Sequence, residues 1–228
     1  MPRRLLQIVL AGALLLCARP AAAEVSIWLK KGVSGFGSWF GFTGVDDGSF
    51  SLALGGGYSY EGVLELDLAV SRGFPDSDQL GGASLAIWII ESSIEVHPLK
   101  QSATFPISLG VAAGVSFPFI SSDDLDARGI SVSAFGYSFG LSAYRFFRLG
   151  ESLGITPAVG LRFAHLDMTF KTALETIDRG ESTFGGTIGA YLAFIDSGGR
   201  IWGLAPSALI TDDFVQFQIL FGVVFGMP

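Results

Sequence analysis

For most of its length the chain alternates between apolar and polar or small residues. From Phe214 to Gly226 the odd positions Val215, Phe217, Ile219, Phe221, Val223 and Phe225 are bulky and apolar, while the even positions include Gln216, Gln218 and Gly222. Successive side chains leave opposite faces of a strand, so this is a strand with one greasy and one mixed face. The same alternation sets Leu64, Leu66, Leu68 and Val70 against Glu65, Asp67, Ala69 and Ser71. It sets Phe105, Ile107, Leu109, Val111, Val115 and Phe117 against Ser108, Gly110, Ala112, Gly114 and Ser116. Following it along the chain predicts ten strands, over 24–33, 48–60, 61–72, 83–97, 104–117, 130–147, 153–170, 183–196, 200–210 and 214–226. Trp28 and Lys30 disturb the alternation of the first.

The connections alternate as well. Tight turns fall at Tyr60-Glu61, Pro98–Ala103, Arg148–Ser152 and Asp196–Gly199, and longer or more polar segments at 34–47, 73–82, 118–129, 171–182 and 211–213. The pattern predicts an antiparallel up-and-down barrel whose greasy face points outward to lipid and whose small and charged face lines the lumen. In a soluble barrel the greasy face would be inside, where ten strands of large side chains would overfill the space. An eight-stranded barrel and a soluble β-sandwich are the alternatives. Aromatic residues gather at both sets of strand ends: Tyr58, Tyr60, Phe105, Phe147, Phe194, Trp202 and Phe225 at one, Phe50, Phe117, Phe135, Phe163 and Phe184 at the other. Two such girdles are expected where rings meet lipid headgroups.

With these features, the region 24–228 resembles the small bacterial outer-membrane β-barrel proteins. The resemblance implies short turns and both termini in the periplasm, longer loops outside, and lipid and lipopolysaccharide as surroundings. The last strand resembles the closing strand that the barrel-assembly machinery recognises, although here Gly226-Met227-Pro228 follows the final aromatic.

Composition adds an address and some exclusions. Met1-Pro2-Arg3-Arg4, a nearly apolar run from Leu5 to Ala18 that is too short to span a bilayer, and then Ala21-Ala22-Ala23 predict a secretory signal peptide over 1–23. Cys17 is the only cysteine, and Leu16 stands before it where a lipoprotein signal carries a small residue. A disulfide framework and a cysteine metal site are excluded from the mature region. Losing Arg3, Arg4 and Arg19 with the leader takes the formal charge from −7 to −10, which argues against nucleic acid as a partner. No cofactor motif is present.

Candidate chemistry lies in three places. On the lumen side, Glu65 and Asp67 should lie beside Glu91 and Glu95, with Arg162 as the counter-ion; this predicts a salt-bridge network filling the barrel, or a narrow cation-preferring pore holding a small cation or solute. In the loops, the acidic run containing Asp123, Asp124 and Asp126 offers oxygen ligands for a divalent cation but lacks EF-hand spacing; solvated loop acidity is the plainer reading. On the seventh strand, Leu161 and Phe163 share one parity and Leu166, Met168 and Phe170 the other, which predicts a β-bulge near Ala164 that turns His165 and Asp167 toward the mouth.

Together with Asp76 and Asp78 of the second outer loop, this arrangement resembles the omptin proteases, ten-stranded outer-membrane barrels with an acidic pair facing an Asp–His pair. The resemblance implies a hydrolase in which Asp167 orients His165 as general base. The order here is His-x-Asp where omptins carry Asp-x-His, and the chain is shorter. A lipid A deacylase, with a Ser–His–acid set on the outer face of its barrel, is the other enzymatic reading; no serine lies two residues beyond either histidine. The reading adopted is a non-enzymatic barrel, structural, surface-interacting or narrowly porin-like.

Overall fold

A computed structural model describes residues 25–75, 85–127 and 129–227. The strands are β1 (Ser34–Val45), β2 (Phe50–Tyr60), β3 (Leu64–Phe74), β4 (Ala86–Leu99), β5 (Ser108–Ser121), β6 (Ser131–Tyr144), the two-residue β7 (Phe147–Arg148), β8 (Leu153–Lys171), β9 (Thr176–Ile195), β10 (Arg200–Thr211) and β11 (Val215–Met227). Among the described residues two short helices accompany them, α1 (Val25–Trp28) and α2 (Asp123–Ala127). Each long strand pairs antiparallel with its neighbours in sequence, β1 pairs with β11 and β6 with β8, so ten strands close into a barrel without a free edge. The ribbon β7 pairs only with Gly154 and Ile155 at the start of β8.

The barrel has a base, where β1 begins and β11 ends, and a rim at the other end. At the base the β2–β3 turn requires left-handed backbone at Glu61 (φ 52°) and Gly62 (φ 63°). The Glu61 amide donates to Ser34 Oγ at 3.0 Å, tying this turn to the start of β1. Asp196 organises the β9–β10 turn: Oδ1 accepts from the amides of Gly198 (2.8 Å) and Arg200 (3.0 Å), and Oδ2 from Arg200 Nε (2.7 Å) and Trp202 Nε1 (3.2 Å).

The first strand is not at 24–33. It runs from Ser34 to Val45, through the segment the alternation assigned to an outer loop, and residues 25–28 form α1 instead. The glycines of Ser-Gly-Phe-Gly-Ser-Trp-Phe-Gly-Phe-Thr-Gly-Val suggest a loop, yet Phe36, Phe40 and Phe42 still point outward at every second position. The strand count of ten is unaffected. The expected outer loop at 171–182 is also mostly strand, since β9 begins at Thr176.

Inside and outside are unambiguous on β11. Phe217 is 59% exposed, while Gln216 and Gln218 on either side are 0% and 1% exposed. Leu54, Leu68, Val159, Ile188 and Ile219 are likewise exposed on the outer wall. An apolar exterior around a closed antiparallel sheet suits hydrocarbon and not water, so the barrel is transmembrane.

Candidate functional site

Most of the lumen wall is small: Gly55, Gly57 and Ala53 on β2, Gly110, Ala112 and Gly114 on β5, Gly140 and Ser138 on β6. Large groups fill it from each end. At the base, α1 and Leu29 sit inside the barrel, with Val25, Ile27 and Leu29 buried beside Trp39, Tyr144, Tyr191 and Val224. The wall makes room for them. A Cβ at Gly37 would lie 3.0 Å from the Val25 side chain, and one at Gly203 would lie 2.9 Å from the Trp28 ring. The Val25 amide donates to Glu65 Oε1 at 2.6 Å, which fastens the segment to β3.

Glu65, Asp67 and Glu95 are buried on the lumen side, and Glu91 and Arg162 face the same interior. Glu95 Oε1 accepts from Ser142 Oγ at 3.3 Å and lies 3.8 Å from His97 Nε2. The other His97 nitrogen, Nδ1, shares a hydrogen bond of 2.9 Å with the Tyr144 hydroxyl, to which Lys100 Nζ donates at 3.0 Å. Arg162 donates to Ser138 Oγ at 3.3 Å. A cavity of about 100 Å³ remains between Asp67, Glu91, Glu95, Arg162 and Thr187, a volume that admits several waters.

The rim end is closed by different material. Ile87, Ile89, Leu166, Met168 and Phe170 form a buried cluster, with Leu85, Ile120, Val132, Ala134 and Ile177 packed against it. This overturns the expected bulge. β8 pairs in unbroken register with both β6 and β9, Ala164 opposite Ser138 and Thr183. Leu161 and Phe163 face out, and Leu166, Met168 and Phe170 face in because the rim is filled by its own apolar core. His165 and Asp167 therefore stand on the outside of the barrel and not at the mouth. Asp76 and Asp78 lie outside the described residues, so the acidic half of the omptin-like pairing has no placement here.

On that outer face sits a group the sequence did not bring together. His165 Nδ1 is 2.7 Å from Ser182 Oγ, and His165 Nε2 is 3.1 Å from Asp167 Oδ1. Ser182 is the direct cross-strand partner of His165, and Gly180 that of Asp167. The Tyr137 ring, across from His165 on β6, lies 5.0 Å from the imidazole centroid to centroid. Ser182 is seventeen residues from His165, and only the four-residue β8–β9 connection, 172–175, puts them opposite each other. Recognising that short hairpin would have revealed the pair.

Asp123 and Asp126 belong to α2, and Asp124 lies between them in the chain. Among the described residues no group of three or more His, Cys, Asp or Glu is placed to hold a metal ion.

No protein-family model matches the chain, and no curated protein matches it in sequence. Solved structures do resemble it. The translocator domain of the autotransporter NalP from Neisseria meningitidis aligns over 88% of this chain and 91% of its own, with 13% identity and a TM-score of 0.52. The β domain of the Bordetella autotransporter BrkA aligns over 85% and 99%, with 8% identity and a TM-score of 0.49. Ail, the attachment invasion locus protein of Yersinia pestis, aligns over 86% and 99%, with 12% identity and a TM-score of 0.39. The NalP likeness is one of fold, a barrel of outer-membrane type.

Proposed function

We propose that this chain is an integral outer-membrane protein of a Gram-negative bacterium, whose barrel is a filled structural scaffold presenting its outer wall and rim to its surroundings. The observation that carries this is the lumen, stoppered at the base by residues 25–29 and at the rim by the Phe170 cluster. Both obstructions are well packed, and the space between them suits a few waters. The base, with its tight turns at 61–63 and 196–199, belongs in the periplasm, and the tall β8–β9 hairpin outside; both termini are then periplasmic. Lipid and lipopolysaccharide are the expected neighbours of the wall, and the barrel-assembly machinery the expected partner of β11 during insertion.

A narrow cation-preferring, porin-like barrel is the second reading, favoured by the acids Asp67, Glu91 and Glu95 around the cavity. Planar-bilayer recording separates the two. The filled scaffold predicts no steady current from the parent protein, and none from a variant lacking residues 25–29 alone, because the Phe170 cluster still closes the rim. A cation-selective current from the parent that falls when Glu91 is neutralised would establish the pore instead.

A further inference from the structure

The depth of the Ser182–His165–Asp167 group gives it a meaning. On the outer face of β8 the positions from Leu153 to Phe163 read Leu, Ile, Pro, Val, Leu, Phe, and the next two are His165 and Asp167. Ten residues at about 3.4 Å each, tilted by about 40°, rise about 26 Å, close to the roughly 25 Å apolar band of such barrels. Phe139, Phe163 and Phe184 stand side by side in register on β6, β8 and β9. One step further out come Tyr137, His165 and Ser182, then Phe135, Asp167 and Gly180. The polar group thus sits directly above an aromatic row, where acyl chains give way to headgroups.

From this geometry we infer that Ser182, His165 and Asp167 form an acyl-ester hydrolase site that takes carboxylic esters of outer-leaflet lipids from the plane of the membrane. The three residues have the relations that nucleophilic catalysis requires: a hydroxyl bonded to a base, and the base held from its other nitrogen by a carboxylate. Their support is built into the wall. A Cβ on Gly180 would lie 2.9 Å from Asp167 Oδ1 and 3.3 Å from His165 Nε2, so glycine there leaves space for the His–Asp pair. Tyr137 covers the flank of the imidazole. The lipid's acyl chain would lie along Phe163 and Phe184, which brings its ester to the level of Ser182.

The chemistry closes without a cofactor. Ser182 Oγ bonds to the ester carbonyl carbon as its proton passes to His165 Nδ1, while Asp167 holds the imidazolium at Nε2. The adduct collapses with cleavage of the bond to the alcohol oxygen, which leaves with the proton from His165. Water, giving a proton to His165, then attacks the acyl-serine; the fatty acid departs and Ser182 regains its proton. Ser182 and His165 are the catalytic residues, and Asp167 is a positioning residue.

The test uses the full barrel purified folded from membranes and placed in two sets of vesicles, one of phosphatidylethanolamine and phosphatidylglycerol, the other containing lipopolysaccharide. Released fatty acid is measured, together with labelling by a fluorophosphonate. Release from at least one set is expected, and which set releases it tells the phospholipid ester from the lipopolysaccharide ester. Ser182→Ala should lose the label, and Ser182→Ala and His165→Ala should each lower release by about 10²–10⁴-fold. Asp167→Asn should lower kcat with little change in KM, with partial recovery in Asp167→Glu. All of these side chains are on the outside of the wall, so heat-modifiable mobility should stay as in the parent. No release from either set by the folded parent, or release unaffected by Ser182→Ala, would overturn the proposal and leave the filled-barrel reading intact.

Discussion

The lower and upper parts of β8 follow opposite rules. Below Phe163 the large apolar side chains, Leu153, Val159 and Leu161, point out, and Gly154, Ala158 and Gly160 point in. Above it Leu166, Met168 and Phe170 point in, and His165, Asp167 and Lys171 point out. The backbone does nothing unusual at the change, because the register continues without interruption. What changes is the solvent. Hydrocarbon accepts a greasy exterior, and water does not. A single regular strand thus records the height of the membrane in its side chains, and the polar group at His165 marks the boundary.

If the upper part is a hydrophobic core enclosed by a water-facing wall, truncating it should cost what core truncation costs in soluble proteins. Phe170→Ala should lose about 3–5 kcal/mol, read as a lowered midpoint in denaturant unfolding of the vesicle-bound barrel. A loss below about 1 kcal/mol would mean that the rim cluster is not packed as described. The lower part should respond to charge by depth. Val159→Arg, near the middle of the apolar band, should cost about 2–4 kcal/mol, whereas His165→Arg should cost about 0–1 kcal/mol. Equal costs at the two positions would erase the distinction between the parts.

The parity switch within β8 was visible in the sequence, but its cause was not. Apolar residues moving from one parity to the other fit a bulge as well as a change of solvent, and only the continuous pairing of Ala164 decides between them. The ten-strand barrel was legible because most strands keep one rule from end to end, as β3 and β11 do. The first strand was misplaced for two local reasons. Glycines at 35, 37, 41 and 44 make β1 look like a loop, while Val25, Ile27 and Leu29 recur at the spacing of a strand although they are buried within the lumen. Lumen-facing Glu65, Asp67 and Glu95 were readable from alternation alone. Ser182 was not, because its relation to His165 depends on the register of a hairpin whose upper half looks like a polar loop.

The central claim is that β8 crosses from hydrocarbon into water between Phe163 and His165. Residues 24–228 carry no cysteine, so with Cys17 replaced by serine single cysteines can be placed at the outward positions 157, 159, 161, 163, 165, 167 and 169 and spin-labelled in vesicles. Collision with oxygen should dominate through position 163, and collision with a water-soluble nickel complex from 165 onward. Oxygen-dominated relaxation continuing to position 169, or a crossover below 159, would contradict it.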